Sequence, residues 1–189
     1  MVEAIRNIDT NFALAQTNFN RRVAAERQVE AVQAAHSEAF GYNYGVVLIK
    51  LMGRDSGFIA ANASLACPDV NFVLVPEVPF TLEGEKGLLR SLERRLETQQ
   101  KEGRHPHSVI VVAEGAGQNL MGKRKNEKDA YGKVRFNDVG TFLKDEIIAY
   151  FKDRLPISIK FNEPSYMIRS LPANPHDAIF CYYLADHAV

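Results

Sequence analysis

Val46-Val47-Leu48-Ile49-Lys50-Leu51-Met52-Gly53-Arg54-Asp55-Ser56-Gly57-Phe58-Ile59-Ala60 is the stretch on which the fold turns. Its first half is almost continuously apolar, the pattern of a strand buried on both faces. Its second half reads as a turn that opens a helix. At the junction, Gly53 lets the backbone pass close to a neighbouring group. Arg54 puts a fork of donors at the carboxyl end of the strand, where open α/β sheets bind ligands. On spacing alone two readings stand. One is a ligand-facing arginine; the other is a strand-to-helix corner whose arginine meets solvent or a carboxylate.

The same rhythm recurs along the chain. Residues 21–40 are rich in Ala, Glu, Gln and Arg, with Ala25, Val29, Val32 and Ala35/His36 at helical spacing. Gly41-Tyr42-Asn43-Tyr44-Gly45 ends that helix and leads into the strand at 46–51. A helix is predicted over roughly 56–66, then a second buried strand, Asn71-Phe72-Val73-Leu74-Val75, ending at Pro76-Glu77. Residues 84–101 predict a charged amphipathic helix with Leu88, Leu89, Leu92 and Leu96 on one face, and Ser108-Val109-Ile110-Val111-Val112-Ala113 a third buried strand. Residues 115–137 interrupt the pattern with a polar, glycine-containing stretch that is basic around Lys123-Arg124-Lys125. Such a length reads as a solvated excursion or as a lid or effector loop at a strand's carboxyl end. Asp138 is placed to cap a helix running to about Asp153, followed by a strand at Pro156-Ile157-Ser158-Ile159-Lys160-Phe161, a turn at Asn162-Glu163-Pro164, and a last helix from His176. Buried strands alternating with helices predict an α/β fold: three layers around a mostly parallel, doubly wound sheet.

The totals fit one domain. The chain has 189 residues, enough to bury a substantial core, and 46% of them are apolar, as in globular chains. Lysine plus arginine equal aspartate plus glutamate at 23 each, so no nucleic-acid or membrane-surface partner is expected. Cys67 and Cys181 are too few for a disulfide framework and suit a reducing compartment, hence a cytoplasmic location. No apolar run approaches a membrane span, and the first 20 residues lack a secretory pattern.

Four motifs in fixed order carry a resemblance. Leu51-Met52-Gly53-Arg54-Asp55-Ser56-Gly57-Phe58-Ile59-Ala60 is similar to the sugar-phosphate loop of the 6-phosphofructokinases, above all of their ATP-dependent plant and trypanosomal branch. The resemblance continues at Val75-Pro76-Glu77, at Ala113-Glu114-Gly115-Ala116-Gly117-Gln118 and at Pro164-Ser165-Tyr166-Met167-Ile168-Arg169-Ser170. It covers residues from about 24 to 189 well and 6–23 poorly. It implies a sugar-phosphate-binding α/β domain over 24–189, and over 1–23 a diverged remnant of the catalytic loop or foreign sequence. The last helix ends without Gly, Pro or tail, so the parent protein is expected to continue past it.

The resemblance also implies roles. A sugar-phosphate site needs cations for the phosphate, a carboxylate for hydroxyls and a base for the attacking hydroxyl. Arg169 then contacts the phosphate of fructose 6-phosphate. Tyr166 stands where other branches carry a phosphate-contacting histidine, and a phenol can donate in its place. Arg54 adds a cation, and Met52 and Gly53 line the sugar. Glu77 either accepts from sugar hydroxyls or caps a helix. Lys160 falls where the family usually has a cation, or is an exposed strand lysine. Counting back without a gap sets Asn7-Ile8-Asp9-Thr10-Asn11 on the family's Thr-Ile-Asp-Asn-Asp loop, with Asp9 at the general-base position. Asn7 and Asn11 depart from that pattern, as do Asn20 and Val23 from the Gly-Phe-x-Thr run that follows it. This leaves Asp9 as a base or as a relic.

The implied activity is phosphoryl transfer from ATP, with Mg2+, to the 1-hydroxyl of fructose 6-phosphate in glycolysis, the chain supplying the sugar-phosphate site. The family holds nucleotide phosphates and magnesium on a glycine-rich half. No Gly-Gly-Asp-Gly run or similar cradle occurs here, so ATP is expected to reach the site only through a further half or partner chain, and the chain alone to be inactive. The alternative is a non-catalytic sugar-phosphate-binding or subunit-interaction module. Either way the resemblance implies a homo-oligomer or a self-associating chain.

Overall fold

A computed structural model of the protein describes residues 29–122, 136–164 and 175–187. Helix α1 occupies residues 29–40. There follow β1 (Gly45–Leu51), α2 (Phe58–Leu65), β2 (Phe72–Leu74), α3 (Leu88–Lys101), β3 (His107–Ala113), α4 (Val139–Phe151), β4 (Ser158–Asn162) and α5 (Pro175–His187). The four strands form one sheet in the order β2-β3-β1-β4, and every pairing is parallel.

The apolar runs dictate this arrangement. Strand residues alternate between faces, so a strand covered on both sides must be apolar at nearly every position. In β1, Val46 and Leu48 belong to one core with Ile110 and Val112 of β3; Val47, Ile49 and Leu51 belong to the other with Val109, Val111 and Ala113. The first core is closed by α3 through Leu88, Leu89, Leu92 and Leu96, and by α4 through Val139, Leu143, Ile147 and Phe151. These are the i, i+4, i+8 spacings of an amphipathic helix face. The second core is closed by Val32, Ala35 and Ala39 of α1 and by Ala60 and Ala63 of α2, whose small side chains let the helix lie close on the sheet. The result is the expected three-layer, doubly wound α/β fold.

Several element ends differ from expectation, β2 for instance spanning only Phe72–Leu74, and two of the differences have a clear physical reason. Helix α3 begins at Leu88 rather than near 84, because Gly87 is extended and lies so close to the preceding loop that a Cβ on it would be 2.4 Å from the Glu83 carbonyl oxygen. The helix's first amides are satisfied by that loop: Leu88 N–H donates to the Thr81 carbonyl at 2.9 Å and Leu89 N–H to the Leu82 carbonyl at 3.2 Å. Strand β4 starts two residues later than its apolar run, since Ile157 N–H turns back to the Leu155 carbonyl at 2.8 Å. Asp138 caps α4 as predicted, accepting from Gly140 N–H and Thr141 N–H. The stretch after β3 holds a 3-10 turn at Gln118–Leu120.

The chain leaves β1 through α2 over one face and leaves β3 through α4 over the other. β1 and β3 are neighbours. Parallel neighbours whose connections part to opposite faces open a crevice at their carboxyl ends, the usual ligand position in such sheets.

Candidate functional site at the carboxyl ends of the strands

The floor of that crevice is a crossing of two backbones. Leu51 pairs with Ala113 at the ends of β1 and β3. Beyond them Glu114 N–H donates to the Leu51 carbonyl and Gly115 N–H to the Gly53 carbonyl, both at 3.0 Å. Gly53 has φ +143°, a conformation that side chains rarely adopt, and a Cβ there would lie 2.5 Å from the Ser56 carbonyl oxygen. At Gly115 a Cβ would meet the Arg54 carbonyl oxygen at 1.7 Å. Glycine at both positions therefore lets the Met52-Gly53-Arg54 turn lie on the exit of β3.

Glu77, after β2, reaches the same turn. Its carboxylate accepts from Gly57 N–H through both oxygens, at 2.8 and 3.0 Å. Gly57 is the N-cap residue of α2, whose own side chain offers no acceptor. The Gly57 amide, aided by the Glu77 amide, holds the Glu77 carboxyl below the usual carboxylate range against a slight opposing effect of burial. Glu77 thus caps the helix. As an exposed carboxylate it keeps lone pairs for a ligand's hydroxyls as well.

Arg54 projects from the turn, with its guanidinium 4.3 Å from the centre of the Phe136 ring. The structure therefore brings Met52, Gly53, Arg54 and Glu77 together where three strands end. It does not bring Lys160 there. Lys160 lies in β4 opposite Val47, five residues before Met52, which at about 3.3 Å per residue leaves it some 16 Å down the sheet. Its ammonium stands 5.3 Å over the Tyr42 ring. Asp9, Tyr166 and Arg169 lie outside the described residues.

Sequence reading missed three participants. Lys50, the lone charge in β1, is bound by Asp138 at 2.8 Å and Glu163 at 3.0 Å, tying β1 to the cap of α4 and the exit of β4. Burial pulls the Lys50 ammonium towards neutrality, but its two carboxylate partners outweigh that and raise its pKa. Asp138 is correspondingly lowered; Lys50 and Thr141 outweigh the effect of burial. Gln118 is the second: its amide donates to the carbonyls of Glu114 and Asn137 at 3.0 and 3.1 Å and accepts from Asn137 N–H at 3.0 Å. Phe136 is the third. Only Lys50 carried a signal, a single charge inside a run otherwise buried on both faces.

Among the described residues, no group of three or more His, Cys, Asp or Glu side chains is placed to hold a metal ion, and no helix is long and apolar enough to cross a membrane. A separate cavity of about 430 Å³ lies at the opposite, amino end of the sheet, lined by His36, Asp69, Arg95, Arg104, His105 and His107 among others.

A parallel doubly wound sheet with a glycine-crossed arginine turn at its switch point defines an α/β domain of the doubly wound class, whose ligands usually lie at that point. The chain matches the phosphofructokinase family over residues 1–189 and belongs to that family. It is 43% identical to the ATP-dependent 6-phosphofructokinase of Borreliella burgdorferi, over 97% of this chain and 41% of the relative. It is 39% identical to ATP-dependent 6-phosphofructokinase 1 of Arabidopsis thaliana and 41% to the ATP-dependent 6-phosphofructokinase of Trypanosoma brucei brucei, again over 97% of this chain but 38% and 37% of those proteins. The chain thus spans about two fifths of their length. Among solved structures, Saccharomyces cerevisiae phosphofructokinase superimposes with TM-score 0.54 at 21% identity, over 82% of this chain and 17% of that one. Pichia pastoris phosphofructokinase in the T-state gives 0.51 at 18% identity, over 78% and 13%. Both share the fold.

Proposed function

We propose that this chain supplies the sugar-phosphate site of an ATP-dependent 6-phosphofructokinase, with residues 24–189 as the binding domain. The observation that carries the reading is the crossing of Gly53-Arg54 over Gly115 beside Glu77, at the convergent ends of three parallel strands. Arg54 and Arg169 meet the phosphate of fructose 6-phosphate, with Tyr166 as a further donor. Charge-assisted contacts of this kind are the strong ones, and arginine's fork matches a phosphate's oxygens. Met52 and the Gly53 backbone line the sugar, and Glu77 orients its hydroxyls. Asp9 stands at the position of the base that takes the proton of the 1-hydroxyl as the γ-phosphoryl of ATP arrives. ATP and its Mg2+ would be held by a further part of the enzyme or a partner chain. Ile179, Tyr182 and Tyr183, exposed at i, i+3 and i+4 on α5, support self-association of the chain. The setting is the cytoplasm or another glycolytic compartment.

Calorimetry with fructose 6-phosphate and with ATP separately tests this. Fructose 6-phosphate should bind. Arg169→Ala should weaken it about ten- to a hundredfold, the effect of about 1.5–3 kcal/mol for one charged hydrogen bond. Asp9→Ala should leave affinity unchanged, because a base acts in the transition state. ATP-dependent turnover by the chain alone should be absent. Unchanged affinity in Arg169→Ala would remove the site assignment. A second reading, a sugar-phosphate-binding module without catalysis, is favoured by Asn7 and Asn11 in the loop around Asp9. Asp9→Ala distinguishes the two in an assembled, active enzyme, where it abolishes turnover only on the first reading.

A further inference from the structure

We propose that Phe136 is a positioning residue for Arg54: its ring covers one face of the guanidinium and fixes the direction in which the donor fork points. The inference rests on the sugar-phosphate reading of the crevice and adds to it a residue from outside the motifs that carry the resemblance.

Three observations converge on it. First, the Arg54 guanidinium carbon is 4.3 Å from the Phe136 ring centre, well inside the range at which a ring's negative face attracts a cation. Second, Phe136 is held. Its neighbour Asn137 is clamped by Gln118 through both backbone groups, and the Asn137 side chain donates to the Gly122 carbonyl at 3.1 Å. The next residue, Asp138, caps α4 and pairs with Lys50. Gln118 is itself bonded to the Glu114 carbonyl at the exit of β3. Third, the same β3 exit holds Arg54's main chain, through the Gly115 contact with Gly53. The arginine is therefore fixed twice, at its backbone by Gly115 and at its tip by Phe136, and Gln118 ties the second support to the first through Asn137 and Glu114.

The chemistry follows from the shape of guanidinium. Stacking uses its flat face, whereas its N–H donors radiate in the plane. A ring on one face thus removes rotamers and excludes water from that face without occupying the edge that recognises a phosphate. An arginine ordered before the ligand arrives gives up less freedom on binding.

The test uses the whole 189-residue chain, Phe136→Leu, which keeps bulk but lacks the ring, and Phe136→Tyr, which keeps both. Fructose 6-phosphate affinity by calorimetry should fall about three- to tenfold in Phe136→Leu and stay within about twofold of wild type in Phe136→Tyr. In an Arg54→Ala background, Phe136→Leu should cost nothing further. Independently of any ligand, the Arg54 Nε–H proton should show a ring-current shift by NMR that Phe136→Leu abolishes and Phe136→Tyr retains. Equal losses with and without Arg54, or no loss at all, would overturn the positioning role. So would an Arg54 Nε–H signal indifferent to Phe136→Leu. A ring-current shift in a wild-type chain that does not bind fructose 6-phosphate would leave Phe136 against Arg54 and remove the sugar-phosphate reading instead.

Discussion

Gly115 lies directly beneath the Arg54 turn: its amide donates to the Gly53 carbonyl at 3.0 Å, and a Cβ on it would come within 1.7 Å of the Arg54 carbonyl oxygen. Backbone cannot rotate out of the way as a side chain can. Gly115→Ala must push the Met52–Arg54 turn off the sheet, at a cost of at least the ~1–3 kcal/mol of an overpacked core site. Urea unfolding should show the loss, and fructose 6-phosphate binding should fall with it. A variant as stable as wild type would mean that the two turns do not cross this closely.

Glu77 is predicted to stabilise α2 in a pH-dependent way. Its carboxyl is held below the ordinary 4.5, first of all by the Gly57 amide. The folded state therefore favours the ionised form. That contribution is present above pH 4.5 and is lost as pH falls through the lower folded value. Glu77→Ala should lower the unfolding midpoint at neutral pH and flatten the acid limb of the stability profile below pH 4.5. Glu77→Gln, which keeps one acceptor oxygen for Gly57, should lie between. An acid limb identical in wild type and Glu77→Ala would rule out the cap.

How much of this was legible in the sequence depends on the range of each interaction. Strands β1 and β3 were, because burial on both faces leaves an almost unbroken apolar run such as Val46–Ile49. The glycine crossing was half legible. Gly53 announced a close approach, but that Gly115 is the partner follows from the Leu51–Ala113 register, which no local pattern encodes. Glu77 stayed ambiguous because its acceptor role depends on Gly57, twenty residues away. Lys50 went unread, since the carboxylates that hold it come from positions 138 and 163. Lys160 falls where the family usually has a cation, whereas the register of β4 on β1 sets it at mid-sheet.

The Lys50 ion triad supplies the next prediction. The Lys50 side chain is 12% exposed, while Asp138 and Glu163 are 48% and 43% exposed. Lys50→Met keeps the packed stem and removes the charge, leaving two carboxylates facing one another. Because they are half in water, the expected loss is about 1–2 kcal/mol, below that for a fully buried pair. The sign against pH is fixed on both sides. Lys50's pKa is raised, so its contribution is complete below pH 10.5 and is lost as pH rises through its folded value. Asp138's is lowered, so its contribution is present above pH 3.8 and is lost as pH falls through its folded value. Stability of Lys50→Met should therefore vary less than wild type at both extremes. A wild-type profile superimposable on that of Lys50→Met would exclude the triad.

At the far end of the sheet, His107 is predicted to make the chain sensitive to mild acid. Its Nδ1 is 2.8 Å from the His105 carbonyl and so carries the proton that this acceptor needs. Its Nε2 then presents a lone pair to His36 Nε2, 3.1 Å away. One proton fits between the two rings and a second does not. His36 Nδ1 in turn lies 3.6 Å from Asp69, while Arg95 and Arg104 complete the surroundings. Burial, reinforced by the nearby charges of His36, Arg95 and His105, pushes the His107 pKa below 6.5; the His105 carbonyl only partly opposes it. Between that lowered value and 6.5 the unfolded chain binds more protons than the folded one, so stability falls as pH falls through this window. The slope can reach at most the ~1.4 kcal/mol per pH unit that one proton imposes. Urea unfolding at intervals from pH 7.5 to 5.5 should show this decline, and His107→Gln should remove most of it. Glu77 and Asp138 do not confuse the reading, because their losses fall below pH 4.5. A wild-type chain with constant stability across the window, or a His107→Gln chain that declines as steeply, would show that the imidazole pair accepts its second proton without strain.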